Sequence, residues 1–119
     1  MLLIIFILYT DYYFVTRELS PVITCKINKK LYKLHVLLSA RDKQLGLEQY
    51  PNIKVGEGVL FFYASDCDVG YDFSEINYRC CIYFLDGDYN IIKKANTSPC
   101  QEKIVTCHKK FRYVIEIKI

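Results

Sequence analysis

The stretch CCIYFLDGDYNIIKK, residues Cys80 to Lys94, decides the fold of this chain. Cys80 to Leu85 is an apolar run rich in residues that favour pleated strands, and its length suits a buried strand. Asp86-Gly87-Asp88 follows, and an Asp-Gly pair supplies the positive backbone angles of a tight hairpin turn. Tyr89 to Lys94 then predicts the returning strand. We therefore expect an antiparallel β-hairpin here, in a chain built mainly from strands.

Further strands are predicted on both sides of the hairpin, with one helix among them. Ser39 is a suitable N-cap for a short helix from Ala40 to about Glu48, in which Leu45 faces inward. The predicted fold class is mainly β, either a small barrel or a β-sandwich-like pair of sheets, largely antiparallel, with one short α-helix near residues 40–48. The other predicted strands are Val22 to Ile27, Leu31 to Leu38, Val59 to Tyr63 and Phe111 to Ile119.

Composition indicates one globular domain that is not a dedicated nucleic-acid binder. The chain has 119 residues, of which 52% are hydrophobic and 15% aromatic, and this balance also favours sheet. The formal net charge of +3 is low for a nucleic-acid-binding domain, so nucleic acid is a disfavoured partner. The basic residues are nevertheless concentrated in the C-terminal half, which leaves an anionic partner as an alternative: Lys93, Lys94, Lys103, Lys109, Lys110, Arg112 and Lys118.

Residues 1–20 form an apolar N-terminal segment that we separate from a single β-rich domain at 21–119. The run from Leu2 to Tyr9 is too short to span a membrane and is interrupted at Asp11. It also lacks the basic start and the small-residue cleavage site of a signal peptide. Three interpretations stay open: an export signal, an interfacial membrane anchor or an additional buried strand. The first two favour an exported or membrane-associated protein, and the third a cytoplasmic one.

The six cysteines allow a disulfide but indicate no metal site or cofactor. Cys100 and Cys107 bracket a predicted short loop, and a bond between them would stabilise the fold by roughly 2–3 kcal/mol in an oxidising compartment. Adjacent Cys80 and Cys81 should point to opposite faces of their strand, one into the core and one outward. No spacing typical of zinc ligands is present, and no nucleophile, base and orienting group can be recognised together. An enzyme is therefore the less favoured class.

The order of several short motifs resembles a known family. Ser39 to Leu47 is similar to a Thr-Pro-Glu-Glu-x-x-x-Gly-Leu helix start, and Gly56 to Phe61 to Gly-x-Gly-Met-Leu-Phe. Ile82 to Asp86 is similar to Ile-x-Phe-Leu-Asp before a hairpin. Pro99-Cys100, Cys107 and Arg112 to Glu116 are similar to a Pro-Cys, Cys and x-Tyr-Val-Leu-Glu ending. From about Cys25 to Ile119, the chain thus resembles the bacterial and archaeal family called domain of unknown function 192.

The chain departs from that family in its most characteristic stretch. Where the family has Trp-Met-Lys-Asn-Thr and, shortly after, Pro-Leu-Asp, this sequence has Asp72 to Ile76 and Arg79 to Cys81. The resemblance implies a small mainly-β domain, often exported and without established enzymatic activity. It also implies that this member has lost or changed whatever the characteristic stretch does.

We expect a ligand pocket at that altered stretch, formed by Glu57, Tyr71, Glu75 and Cys81. The predicted function is a non-enzymatic binding or accessory domain whose partner is a protein or a small molecule. One alternative is a small enzyme that uses a cysteine or an acidic cleft. Another is a binder of an anionic partner through the basic C-terminal half. The bias toward Lys, Ile, Asn and Tyr suggests an A+T-rich genome, and a viral origin is the hypothesis that follows.

Overall fold

The structure, a computed structural model, describes residues 21–119; the expectations for residues 1–20 lie outside the described residues. The bounds of the described elements are as follows: β1 Val22–Ile27, β2 Lys30–Leu37, α1 Ala40–Leu45, a 3₁₀ helix Gly46–Gln49, β3 Glu57–Cys67, β4 Tyr71–Phe73, β5 Cys80–Leu85, β6 Ile91–Thr97, β7 Gln101–Val105 and β8 Phe111–Lys118. No helix in this part of the chain has the length and apolar character needed to cross a membrane.

The strands form one large sheet and one small sheet. The large sheet has six strands in the order β1-β2-β3-β8-β5-β6, and β4 pairs with β7 in a separate sheet of two strands. The β2–β3 pair is parallel because α1 and the 3₁₀ helix carry the chain across between them, whereas the other described pairs are antiparallel. The mainly-β, largely antiparallel class is therefore confirmed. Among residues 21–119, β1 and β6 are the edges of the sheet, so it is not a closed barrel, and the sandwich-like alternative is the compatible one.

The predicted hairpin is present, but its turn is made differently. Gly87 does not adopt a positive φ, whereas Tyr89 does, at 65°. The carboxylate of Asp86 accepts hydrogen bonds from the backbone N–H groups of Asp88 and Asn90, each 2.9 Å long. The Tyr89 ring stacks on Tyr113 with centroids 4.7 Å apart. The turn is thus shaped by an aspartate and a stacked tyrosine rather than by the glycine.

Both faces of the large sheet are buried. All six residues of β5 are buried, so the expectation that one of Cys80 and Cys81 would be exposed was wrong. The two cysteines do point to opposite faces, because they belong to different clusters. The inner face consists of Ile23, Cys25, Ile27, Leu34, Val36, Leu60, Cys81, Tyr83, Leu85, Tyr113, Ile115 and Ile117. The outer face includes Leu37, Val59, Phe61, Cys80, Ile82, Phe84, Phe111 and Val114.

The large sheet curls around its inner face. Cys25 of β1 and Tyr32 of β2 lie close enough to Tyr83 of β5 to contribute to its raised pKa, after burial, which is the main cause. β3 and β8 separate β2 from β5 in the sheet order. In a flat sheet with strands ~4.8 Å apart, β2 and β5 would be about 14 Å apart. The large sheet is therefore not flat.

The outer face is covered by separate elements. Ser39 caps α1 as predicted, its Oγ accepting from the N–H of Asp42 at 3.1 Å. The helix ends at Leu45, and Gly46, with φ 53°, turns the chain into the 3₁₀ helix. Leu45 is therefore 37% exposed, and its predicted inward role was wrong. Leu47, only 2% exposed, packs on the outer face instead.

Candidate functional site

A cleft lies on the outer face, where the covering elements leave a gap. It has a volume of about 350 Å³ and is bounded by α1, the 3₁₀ helix, β3 and the segment from Val69 to Ile76. That segment contains β4, and it includes the Asp72 to Ile76 stretch that replaces the signature of the resembled family. The cleft is large enough for a small organic molecule, since ligand pockets range from roughly 300 to 1,000 Å³.

The large sheet forms one wall of this cleft, and Glu116 lies in that wall. It belongs to β8, between Val59 of β3 and Ile82 of β5, and is only 4% exposed. Its carboxyl group has no hydrogen bond or ion pair with any residue in the range 21–119. Burial alone raises the pKa of Glu116 to about 8. The carboxyl group is therefore mainly protonated at neutral pH.

Gly46 leaves room above this carboxyl group. A Cβ atom at Gly46 would lie 3.9 Å from Oε1 of Glu116 and 3.3 Å from Cζ of Phe61. The start of the 3₁₀ helix therefore passes close to the carboxyl group without a side chain of its own. Any side chain at this position would take space beside the carboxyl group of Glu116.

Aromatic rings form another wall of the cleft. The hydroxyl oxygens of Tyr63 and Tyr71 are 2.6 Å apart, so the two phenols share a hydrogen bond. Phe61 packs edge-on against Tyr71, with centroids 5.1 Å apart. Burial raises the pKa of both tyrosines, so they are neutral across the physiological range. The Nζ atom of Lys43 lies 4.4 Å from the centroid of the Tyr63 ring.

Charged residues around the cleft are mostly acidic. Glu48, Asp72 and Glu75 are exposed residues that line it, and Lys43 is the one basic residue among its lining residues in the described chain. Three negative charges and one positive charge give a local sum of −2, although the chain as a whole carries +3. The N–H of Ser74 donates to the Asp72 carboxylate and lowers the pKa of Asp72.

The structure brings two of the four predicted site residues together. Tyr71 and Glu75 both line the cleft. Glu57 lies elsewhere, in a shallower depression of about 210 Å³ beside His35 and Tyr50. Its carboxylate accepts from the N–H of Lys54 at 3.0 Å. Cys81 is buried on the inner face.

Sequence reasoning missed Glu116, although two signals pointed to it. It stands in β8, where every residue from Tyr113 to Ile117 is buried, so it is a charge within a buried run. It also corresponds to the final Glu of the x-Tyr-Val-Leu-Glu motif of the resembled family. A glutamate in a central strand either has a partner or is functional, and the sequence identified no partner for it.

The cysteines form no disulfide. All six, which lie within the described residues, are free thiols. The segment between Cys100 and Cys107 is strand β7 rather than a loop, so the two residues stand at its opposite ends. A strand rises ~3.3 Å per residue, which places them far beyond the roughly 4.4–6.8 Å Cα spacing of a disulfide. Burial raises the pKa of Cys25 and Cys80 to about 12 each, which makes them poor nucleophiles.

No group of three or more His, Cys, Asp and Glu side chains in the described range could hold a metal ion. The basic residues of the C-terminal half are partly engaged within the fold. Lys93 donates to the carbonyl of Thr106, and Lys94 lies over the Tyr83 ring. Arg112 pairs with Asp66 at 3.1 Å.

Comparisons with known proteins agree with this fold. The family model described as Uncharacterized ACR, domain of unknown function 192, matches residues 23–119. A protein from Sinorhizobium meliloti 1021, described as a "putative transcription regulator", has a TM-score of 0.68 and 18% identity, over 75% of this chain and 70% of its own. A protein of unknown function from Novosphingobium aromaticivorans DSM 12444 has a TM-score of 0.67 and 17% identity, over 83% and 73%. Such identities show the fold alone, and no curated protein matches the chain.

Proposed function

The chain belongs to the family called domain of unknown function 192, and from that premise we propose that it is a non-enzymatic binding domain that takes a small ligand in the cleft beside Glu116. The family supplies the fold but no activity, so the proposal depends on the cleft. The buried carboxyl group of Glu116 is the observation that carries it.

An unpartnered carboxyl group is costly for folding. A buried polar group without a hydrogen bond destabilises a protein by roughly 1–3 kcal/mol. Glu116 bears this cost beside a cleft, where a ligand atom could reach its oxygens. A ligand that hydrogen-bonds to Glu116 would recover part of that free energy. The apolar and aromatic walls would bind the rest of the ligand.

An enzyme using this acidic cleft is the second candidate, because Glu116 has a pKa of about 8. A carboxyl group that titrates near neutral pH suits general acid or base chemistry. We favour binding because the hydroxyls of Tyr63 and Tyr71, which line the cleft, are bonded to each other. The raised pKa values of the buried thiols make a cysteine enzyme a weaker candidate still.

A fragment experiment tests the binding function. Saturation-transfer NMR of the protein with a mixture of neutral, cationic and anionic fragments should detect ligands of the cleft. Glu116→Gln keeps the shape of the protonated side chain and should weaken their binding at least tenfold. Glu102→Gln, at an exposed position of β7, is the matched control and should leave it unchanged. If no fragment depends on Glu116, the binding proposal is wrong, and conversion of a fragment by the wild-type protein would favour the enzyme instead.

We also propose that residues 21–119 form the binding domain and that residues 1–20 direct export or membrane association. Fractionation of cells that make the full chain, or a version starting at Thr16, would test this. The full chain should appear in the exported or membrane fraction and the shorter version should not. The same soluble, reduced protein in both cases would contradict it.

A further inference from the structure

We propose that the ligand of this cleft is a small organic cation, an ammonium group on an apolar body, that binds Glu116 as a carboxylate. This inference rests on the proposed function and specifies its ligand. On binding, the O–H bond of the carboxyl group breaks and its proton passes to the solvent. The ligand's ammonium N–H then donates to the carboxylate oxygen.

Glu116 has no compensating charge paired with it in residues 21–119. Among the described residues, no cationic side chain forms an ion pair with it. Lys43, the basic residue in the lining, is placed over the Tyr63 ring instead. A buried carboxylate needs a paired positive charge, and a cationic ligand would bring the one that Glu116 lacks.

The rim of the cleft is negatively charged. Glu48, Asp72 and Glu75 give an excess of negative charge over Lys43. Such a rim raises the local concentration of cations and repels anions. A carboxylate or phosphate ligand would meet three like charges here, so an anion is the disfavoured class.

The ammonium group of Lys43 already lies at the aromatic wall of the cleft. Lys43 Nζ lies 4.4 Å from the centroid of Tyr63, within the range of a cation–π contact. Burial lowers the pKa of Lys43, so its charge is partly desolvated there. The lysine shows which wall accepts a cation. It also makes Lys43 a competitor that a ligand would displace, so removing it should strengthen binding.

The linkage between binding and pH follows from the groups around Glu116. Glu116 is protonated in the free protein below about pH 8, and a bound cation lowers its pKa. Binding therefore releases a proton, and affinity rises with pH, up to tenfold per unit, until it levels off above pH 8. The titratable and charged groups that share the cleft or lie near Glu116 come from several elements, β8 included: Lys43, Glu48, Tyr63, Tyr71, Asp72, Glu75, Tyr78, Cys80 and Lys118.

Three probes of the same length separate charge from shape: n-butylammonium, n-butanol and butyrate. Calorimetry or NMR titration at pH 6, 7 and 8 should show that n-butylammonium binds at least tenfold more tightly than n-butanol, with no detectable binding of butyrate. Its affinity should rise between pH 6 and pH 8. Calorimetry in buffers of different ionisation enthalpy should show proton release at pH 7.

Variants complete the test. Glu116→Gln should weaken n-butylammonium binding at least tenfold and abolish its pH dependence. Lys43→Met should strengthen binding several-fold, and Glu102→Gln should change nothing. Equal binding of n-butanol, or an affinity that does not change with pH, would overturn the cationic ligand but leave the binding function standing if Glu116→Gln still weakens n-butanol. Failure of the wild-type protein to bind n-butylammonium would overturn the inference, and the mixed-fragment experiment then decides the binding function separately.

Discussion

The two faces of the large sheet use the same strands for different purposes. β8 contributes Tyr113, Ile115 and Ile117 to the inner face, but Val114 and Glu116 point to the outer side. The inner face is apolar and aromatic, and its residues are buried. The outer face depends on added elements, which leave a cleft beside the one buried charged residue of the described chain. The difference between the faces puts the proposed binding cleft where the sheet is incompletely covered.

The largest expected effect concerns the close backbone contact between β3 and β8 at Gly58. A Cβ atom at Gly58 would lie 1.8 Å from the backbone oxygen of Glu116, so β3 and β8 approach too closely for a side chain. Gly58→Ala should lower the free energy of unfolding by more than about 4 kcal/mol, or prevent folding, in guanidinium titrations. Gly87→Ala is the control, because its nearest atoms would be an ordinary 3.6 Å away. Similar losses from both variants would contradict this account.

The next largest effect is the pH dependence that Glu116, on the outer side, gives to the free energy of unfolding. The pKa of Glu116 in the folded state is about 8, against an ordinary value of 4.5, so the folded state retains a proton that the unfolded chain has released. This contribution to stability is complete below the unfolded pKa and is lost as pH rises toward 8. Unfolding titrations from pH 5 to pH 8 should show a loss on the order of 3 kcal/mol that Glu116→Gln lacks. If the free energy of unfolding changes with pH in the same way in both proteins, Glu116 does not have the raised pKa that this prediction assumes.

A cysteine pair tests the inner face. Cys25→Ser places a hydroxyl group where a buried thiol packs, and should cost about 2 kcal/mol of unfolding free energy. Cys100→Ser, at an exposed position without a disulfide, should change it by less than ~0.5 kcal/mol. Thermal unfolding without reductant would measure both. A large loss for Cys100→Ser would indicate that this cysteine does form a bond.

The smallest effects concern the tyrosine hydroxyls on the outer side. Tyr63→Phe removes the hydrogen bond to Tyr71 and should cost about 1 kcal/mol. The buried hydroxyl of Tyr78 has no hydrogen-bond partner among the described residues. Tyr78→Phe should therefore leave the free energy of unfolding unchanged or raise it slightly. A greater loss for Tyr78→Phe than for Tyr63→Phe would reverse this ranking.

The sequence predicted the inner architecture better than the outer one. The bounds of β1 and β5 agree with prediction, because β5 is a continuous apolar run buried on both faces and β1 alternates between buried and exposed residues. β7 was interpreted as part of a loop because three of its five residues are exposed and its sequence, QEKIV, has little apolar character. β4 is three residues long, too short for a periodic signal. These covering elements shape the cleft, so the site was harder to predict than the sheet.

The candidate residues show the same limit. Tyr71 and Glu75 were selected from one altered stretch of sequence, and that stretch lies at the cleft. Cys81 was grouped with them because it is near in the sequence, and Glu57 because of its charge. In the fold, Cys81 lies on the inner face and Glu57 lines a different depression. Glu116 enters the cleft only through the pairing of β8 with β3 and β5, which no local pattern reveals.

The central position of β8 has a consequence for synthesis on the ribosome. β8 follows every other described strand in the chain, yet it pairs with both β3 and β5, and Gly58 meets Ile117 across 59 positions (117 − 58). Chains emerge from their N-terminus, so β1 to β3 and β5 to β6 wait as separate, incomplete sheets. Insertion of β8 joins them and delivers Glu116 in the same step. A nascent chain that has not yet released β8 thus has neither a complete core nor a binding cleft.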